Sequence, residues 1–139
     1  LYLARSGVPV SVRGPGWKQY SGRHANLDVQ PGWLYGDDYA RAICATKINL
    51  GFLRKVARDL QTTRSIEIPA CGGFMLAERT EEHLHLFIEG EEAEFFDGID
   101  ELIKKTKHSK YVASLFNSYF IESFSVFQMF KIFFRNLLN

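Results

Sequence analysis

The chain has 139 residues, of which 46% are hydrophobic, and its formal net charge at pH 7 is +1. This length suits one domain with its own core, and the composition is too apolar for a disordered segment. The near-neutral charge argues against a nucleic-acid-binding domain. Two cysteines, Cys44 and Cys71, are too few for a disulfide scaffold or a four-cysteine zinc site. We expect two buried, reduced thiols in a cytoplasmic protein.

The first residues, Leu1 to Leu3, include no methionine. They are also not followed by the basic stretch and apolar core of a signal peptide. We therefore expect no signal peptide, and we interpret the chain as a fragment of a longer protein.

Charge is unevenly distributed along the chain. Six basic residues and one acid lie between Arg41 and Arg64, whereas ten acids and one base lie between Glu78 and Glu101. We interpret the acidic segment as a solvated helix face. The basic segment is more informative, because it spans the predicted end of a strand.

Five short runs of apolar or β-branched residues predict strands. The runs are Val8–Val12, Asn26–Gln30, Lys47–Leu53, Phe74–Ala77 and Ala93–Phe96. Pro9 is expected at the start of the first strand, since proline cannot donate to a sheet ladder. A turn at Gly14-Pro15-Gly16 is expected to end that strand.

The segments between these strands predict helices with polar starts. Their predicted caps are Asp37, Thr62 or Thr63, Thr80, and Asp97 or Asp100, in chain order. Gly72-Gly73 is expected to end the second of these helices after Ala70, and Gly90 the third after Glu89. Residues 1–6 are interpreted as the end of a further helix.

The predicted strands are continuous apolar runs, and they alternate with helices. This combination is typical of a parallel sheet with helices on both faces. We therefore predict an α/β fold over residues 1–107, a Rossmann-like doubly wound parallel sheet of four or five strands. Ligands of such sheets bind at the carboxyl ends of the strands, near helix N-termini.

Residues 108–139 differ from the rest, with seven of the twelve phenylalanines and only one acid, Glu122. Six of the phenylalanines recur at spacings of three or four: Phe116, Phe120, Phe124, Phe127, Phe130 and Phe134. The spacing predicts a long amphipathic helix packed on the domain. Polar residues interrupt the run and argue against a transmembrane span. Contact with a membrane surface or with a missing partner domain stays open as an alternative.

The segment Arg54–Glu78 has the features of a phosphate site. It starts at a strand end and enters a helix, so the amides of residues 61–64 are expected at the helix N-terminus. Four basic side chains would stabilise a diphosphate leaving group: Arg54, Lys55, Arg58 and Arg64. Glu67, one turn into the helix, suits a ribose diol, and Gly72-Gly73 would allow close backbone approach. A solvated basic loop is the alternative.

Three segments carry a family resemblance: L-Y-G-D-D-Y-A-R-A, K-I-N-L-G-F-L-R-K and T-T-R-S-I-E-I-P-A-C-G-G-F-M-L-A-E-R-T-E-E-H-L. With the upstream G-P-G-W, they resemble the C-terminal half of the CgeB-like glycosyltransferases, known as spore maturation or spore coat proteins. These are relatives of the group 1 glycosyltransferases, which have the GT-B fold. The resemblance covers roughly residues 1–105.

The resemblance implies the donor-binding half of a hexosyltransferase-like enzyme. In group 1 enzymes two acids with seven residues between them flank the donor site, and the second, before an A-C-G turn, binds the nucleotide ribose. Glu67 matches the second acid. Asp59 stands at the first position, where it would lie near the donor sugar as a catalytic residue. The Gly-rich stretch that is usual between the two acids is replaced by L-Q-T-T-R.

The resemblance also implies which residues would bind the diphosphate. Thr62, Thr63 and Arg64 would contact it, with Arg54, Lys55 or Arg58 in support and Gly72 in the turn after the helix. The partners would be a nucleotide sugar, an unknown acceptor and a missing N-terminal domain. No metal or other cofactor and no nucleic acid is expected. The alternative is a non-catalytic α/β domain that binds a nucleotide, or a protein through the Phe-rich tail.

Two further pairs of residues carry side chains that are common at functional sites. His83 and His85 lie two apart on a predicted helix and point to different faces, so we interpret them as solvated surface histidines. Glu78 and Arg79 end a predicted strand where ligands would bind, which makes them secondary candidates for the site.

Overall fold

The computed structural model of the protein describes residues 1–108, so the predicted Phe-rich helix lies outside the described residues. Five strands alternate with helices along the described part of the chain. In order, the elements are α1 (Tyr2–Arg5), β1 (Val10–Arg13), a 3-10 helix (Pro15–Tyr20), β2 (Leu27–Gln30), α2 (Gly36–Ala45), β3 (Asn49–Gly51), α3 (Arg64–Ala70), β4 (Met75–Glu78), α4 (Glu81–Leu86), β5 (Glu94–Phe96) and α5 (99–108).

All paired strands are parallel, which confirms the predicted α/β class. β1 pairs with β2 in a two-stranded sheet, with Val10 opposite Leu27. β3, β4 and β5 form a three-stranded sheet in chain order, with Leu50 opposite Leu76 and Ala77 opposite Phe95. The five strands thus form two small sheets. Side chains from both meet in one apolar cluster, since Val10 packs there with Leu50 and Leu76.

The three-stranded sheet has helices on both faces. Successive residues of β4 point to opposite faces, so the strand is buried along its length at Met75, Leu76 and Ala77. On one face, Met75, Ala77, Ala93 and Phe95 pack against Ile43 of α2, Ile68 of α3, and Leu86 and Phe87 at the end of α4. On the other face, Leu76 and Phe96 pack against Leu3 of α1 and Leu102 of α5. This arrangement explains why the strands are continuous apolar runs.

Several predicted boundaries differ from the structure, and β1, for example, is Val10–Arg13 instead of Val8–Val12. β3 ends at Gly51 instead of Leu53, because the Leu53 amide donates to the Glu78 carboxylate instead of to a strand. α4 ends at Leu86 instead of Glu89, because the backbone at Phe87 is extended. The predicted turn at residues 14–16 is the start of the 3-10 helix.

One predicted helix cap is confirmed and one is wrong. The Thr80 hydroxyl accepts a hydrogen bond from the His83 amide at 3.1 Å, as expected of an N-cap. Asp37 is not a cap, because α2 begins at Gly36 and its N-cap residue is Tyr35. Asp37 and Asp38 lie in the first turn of α2, where their negative charges interact favourably with the positive end of the helix dipole.

The starts of α3 and α5 also differ from the prediction. Thr63 occupies the N-cap position of α3, but its backbone is helical (φ −53°, ψ −33°) and its side chain makes no capping bond. The Gly98 carbonyl accepts from the Leu102 amide at 2.9 Å, so α5 starts after Gly98 instead of at Asp97 or Asp100.

Much of the acidic segment takes part in an ion-pair network, which corrects its interpretation as a solvated face. Arg79 pairs with Glu89, Asp97 and Glu101, and Lys105 pairs with Glu89, Glu94 and Glu101. Hydrogen bonds from Arg79, opposed by burial and supported by Lys105, lower the pKa of Glu89 to about 2. The network joins the ends of β4 and β5 to α5.

Glu89→Gln should make the protein's stability less dependent on pH. Because the folded-state pKa of about 2 lies below the ordinary 4.5, the Glu89 carboxylate stabilises the fold above pH 4.5. That contribution disappears as the pH falls through 2. We expect the variant to lose on the order of 2 kcal/mol at neutral pH and nothing at the acid end. Urea unfolding at several pH values measures this, with Glu91→Gln as control; equal losses at every pH would contradict it.

Gly73→Ala should destabilise the junction between α3 and β4. A Cβ at Gly73 would overlap Ile43 Cγ2 and lie 2.8 Å from Asn49 Nδ2, so α2 and β3 would have to shift. We expect a loss of about 1–3 kcal/mol in the free energy of unfolding. Gly16→Ala is the matched control, since a Cβ there meets nothing within 4 Å. Equal stabilities of the two variants in thermal or urea unfolding would contradict the packing described.

Candidate functional site

The candidate residues lie at one edge of the three-stranded sheet. The basic loop, residues 52–63, leaves β3 at its carboxyl end and leads into α3. Because the strands are parallel, Glu78 at the end of β4 and Phe96 at the end of β5 lie at the same edge. This is the edge at which open α/β sheets bind ligands.

The Glu78 carboxylate binds the start of the basic loop through a hydrogen bond and an ion pair. Its Oε1 accepts a hydrogen bond from the Leu53 amide at 2.9 Å, and its Oε2 forms an ion pair with Lys55. The Glu78 side chain is only 15% exposed, whereas that of Lys55 is 78% exposed. Glu78 therefore shapes the loop, and its signal in the sequence is an acid placed directly after a buried strand.

A second ion pair closes the turn inside the loop. Arg54 Nε donates to Asp59 Oδ2 at 2.8 Å, and the Asp59 amide donates to the Arg54 carbonyl at 3.3 Å. The hydrogen bond and charge of Asp59 raise the pKa of Arg54. Arg54 and Lys55 are thus each paired with a carboxylate, whereas Arg58 and Arg64 have no ion pair within residues 1–108.

Arg58 has an unusual backbone conformation. Its φ is +53°, in the left-handed region that a bulky L-residue rarely occupies. Its amide donates to the Lys55 carbonyl at 3.2 Å, so it belongs to the turn that the Arg54–Asp59 pair closes. Such conformations persist where the surroundings fix them, and they concentrate at functional sites.

Glu67 is oriented by a residue that sequence reasoning did not assign to the site. Tyr39 Oη, near the start of α2, donates to Glu67 Oε2 at 2.9 Å. Burial, then the hydrogen bond and charge of Glu67, raise the pKa of Tyr39 to about 12, and the charge of Arg64 acts in the opposite direction. Glu67 is exposed, and its Oε1 has no hydrogen-bond partner in the described part of the chain.

The backbone at the start of α3 only partly matches the expectation. The Thr62 amide donates to Ser65 Oγ at 3.2 Å, so the prediction that this amide is available to a ligand is wrong. The amides of Gln61, Thr63 and Arg64 have no acceptor within residues 1–108. Gly72, with φ +75°, lies past the other end of this seven-residue helix, away from the start of α3.

His83 is buried, which corrects its interpretation as a solvated histidine. Its side chain has no exposed surface, and its ring stacks on Phe95 with centroids 5.4 Å apart. Its Nε2 lies 2.7 Å from Ser65 Oγ, and its Nδ1 lies 2.7 Å from the Glu78 carbonyl. His85 is exposed, as predicted.

The two cysteines lie close together where α2 and α3 end. Cys44 Sγ donates to the Cys71 carbonyl at 2.8 Å. Cys44 is exposed, so the prediction of two buried thiols is wrong for it, and Cys71 is partly buried. Burial, followed by the charges of Cys44 and Glu67, raises the pKa of the Cys71 thiol.

Residues 1–108 contain neither a cluster of metal ligands nor a helix that could span a membrane. In this range no group of three or more His, Cys, Asp and Glu side chains comes together in a way that could hold a metal ion. None of the helices there is long and apolar enough to cross a membrane.

A parallel α/β domain with a basic loop at the carboxyl ends of its strands has the layout of a Rossmann-like ligand-binding domain. A family model described as glycosyl transferase-like matches residues 2–114. Because this match spans most of the chain, the protein belongs to the glycosyl transferase-like family. The comparisons with curated proteins and with solved structures found no match.

Tyr39 should ionise well above its ordinary pKa of 10. The difference between the alkaline absorbance titrations of wild type and Tyr39→Phe isolates this phenol, and we expect its midpoint near 12. In a Glu67→Gln background the midpoint should fall toward 10, because the carboxylate no longer disfavours the phenolate, while burial keeps it above 10. Circular dichroism confirms folding at each pH. A wild-type midpoint near 10 would contradict the described contact.

Proposed function

We propose that the chain is the donor-binding domain of a glycosyltransferase that transfers a sugar from a nucleotide-diphosphate sugar to an acceptor. Its membership in the glycosyl transferase-like family supports this proposal. The observation that carries it is the exposed Glu67 carboxylate, which Tyr39 orients beside Arg64. One carboxylate oxygen is left for the ribose diol, one turn from the amides that would face the diphosphate.

In this proposal, Glu67 accepts hydrogen bonds from the two ribose hydroxyls. Arg64 and the Thr63 amide and hydroxyl contact the diphosphate, on which negative charge builds as the glycosidic bond breaks. Thr62 contributes its hydroxyl, since its amide is bound to Ser65. Arg58, without an ion pair in the described residues, adds positive charge to the site.

Arg54 and Lys55 have a different role in the proposal from Arg58 and Arg64. Both are highly exposed and each is paired with a carboxylate, so they shape the loop and add little net charge. Asp59 would lie near the donor sugar and act there as the catalytic carboxylate, oriented by the hydrogen bond from Arg54. Gly72 supports the site from the turn after α3.

Further details of the proposal rest on the resemblance of the sequence. They are hexosyl transfer, a place in the CgeB-like branch of the family, and an acceptor site supplied by an N-terminal domain. Helix amides and arginines would take the part of a metal ion in stabilising the diphosphate. The proposal also includes a cytoplasmic location, where nucleotide sugars are present.

A thermal-shift titration with UDP, GDP, ADP, TDP and CMP tests the proposal. A nucleotide at 100 times its dissociation constant should stabilise the protein by about 2.7 kcal/mol. Glu67→Ala should abolish the shift at nearly unchanged melting temperature, because Glu67 is exposed and makes one hydrogen bond. Glu81→Ala, which removes an exposed first-turn acid of α4, is the matched control and should bind like the wild type.

A shift with one nucleoside diphosphate, lost only in Glu67→Ala, would support the proposal and identify the base. No shift in a folded wild-type protein would count against it. A shift retained in Glu67→Ala would reject the role of Glu67.

A further inference from the structure

The buried imidazole of His83 is the centre of a hydrogen-bonded chain that the proposed chemistry does not use. One ring nitrogen contacts the Glu78 carbonyl and the other contacts Ser65 Oγ, each at 2.7 Å. Ser65 Oγ also accepts from the Thr62 amide at 3.2 Å. Ser65 is 3% exposed and His83 is fully buried, so water does not compete for these bonds.

The partners determine the direction of each bond. A carbonyl oxygen only accepts, so Nδ1 of His83 carries a proton and donates to Glu78. The Thr62 amide can only donate to Ser65, so Nε2 is the contact of Ser65 in the described residues that can accept its proton, and the Ser65 hydroxyl donates to Nε2. The Ser65 oxygen is left to accept from the Thr62 amide, and every member of the chain has a partner.

A second bond from the same region holds the same loop. Thr80 Oγ1, at the start of α4, donates to the Leu60 carbonyl at 2.7 Å. The start of α4 therefore holds the end of the basic loop at two points. Thr80 binds the Leu60 carbonyl directly, and His83 acts on the Thr62 amide through Ser65. These are the residues that lead into the proposed diphosphate contacts.

We propose that His83 is a positioning residue which, through Ser65, fixes the backbone at Thr62 and so sets the affinity of the site for a nucleoside diphosphate. The inference about affinity rests on the proposed function. His83 touches no ligand in this arrangement; it holds the Ser65 hydroxyl in the one orientation that leaves its oxygen free to accept from Thr62.

Ser65→Ala tests the link, with Thr106→Val as matched control. Both substitutions remove a buried hydroxyl, and the Thr106 hydroxyl donates to the Leu102 carbonyl on the opposite face of the sheet. We expect Ser65→Ala to raise the dissociation constant of the nucleoside diphosphate about fivefold, the effect of one lost hydrogen bond. Thr106→Val should leave the constant within about twofold. Equal constants for wild type and Ser65→Ala would overturn the proposal.

Two substitutions of His83 separate positioning from simple filling of the core. Glutamine can place its amide oxygen near the position of Nε2 and accept from Ser65, whereas asparagine reaches only the Glu78 carbonyl. His83→Gln should therefore bind the nucleotide better than His83→Asn, by about fivefold. Equal binding by both folded variants would overturn the role of the Ser65 link.

Hydrogen exchange of the Thr62 amide gives a readout without any ligand. Faster exchange in Ser65→Ala, and not in Thr106→Val, would support positioning of the loop. Unchanged exchange would overturn it, whether or not a nucleotide binds. A wild-type protein that binds no nucleotide would overturn the proposed function and leave the exchange result to decide the positioning.

Discussion

Glu78 joins the central strand β4 to the helix α4 and to the loop after β3, which lies 25 residues earlier at Leu53. Its carboxylate accepts a hydrogen bond from the Leu53 amide and forms an ion pair with Lys55, both in the loop after β3. Its backbone carbonyl accepts a hydrogen bond from the His83 ring of α4. Glu78 is itself fixed, because β4 is the central strand and is buried on both faces. The basic loop is therefore anchored to the central strand of the sheet, and the geometry of the candidate site depends on that anchor.

The charges at the site are mostly neutralised locally. Arg54 and Lys55 pair with carboxylates from the loop and from β4, and Arg79 and Lys105 pair with four acids of the acidic segment. A ligand anion would therefore meet a few directed donors instead of a diffuse positive surface. Affinity at such a site depends on the positions of individual groups, which is why the conformation of residues 60–64 matters more than the number of basic residues.

Local pattern was sufficient to predict the α/β class and the parallel strands, but not the division of the five strands into two sheets. Only strands covered on both faces are expected to be continuous apolar runs, and Phe74–Ala77 corresponds to the central strand Met75–Glu78. Boundaries were harder to predict, because they depend on partners distant in sequence. The end of β3 is decided by Glu78, which lies 25 residues after the amide that it binds.

The candidate site was only partly predictable for the same reason. Helical spacing correctly placed His83 and His85 on different faces of α4. It could not show that one of those faces packs on Phe95 and Ser65. Tyr39 was not predicted to belong to the site, since its contact with Glu67 requires the packing of α2 against α3. The proposed roles of Asp59 and Arg64 stay predictions.

The contact between Cys44 and Cys71 has a practical consequence. Tyr39 and Cys44 lie on α2, and they meet Glu67 and Cys71 on or just after α3, so two contacts hold this helix pair. Because Cys44 is exposed, an alkylating reagent can reach its thiol, and alkylation removes the proton that the thiol donates to the Cys71 carbonyl. Alkylation of Cys44 would thus remove one of these two contacts between the helices without an introduced residue.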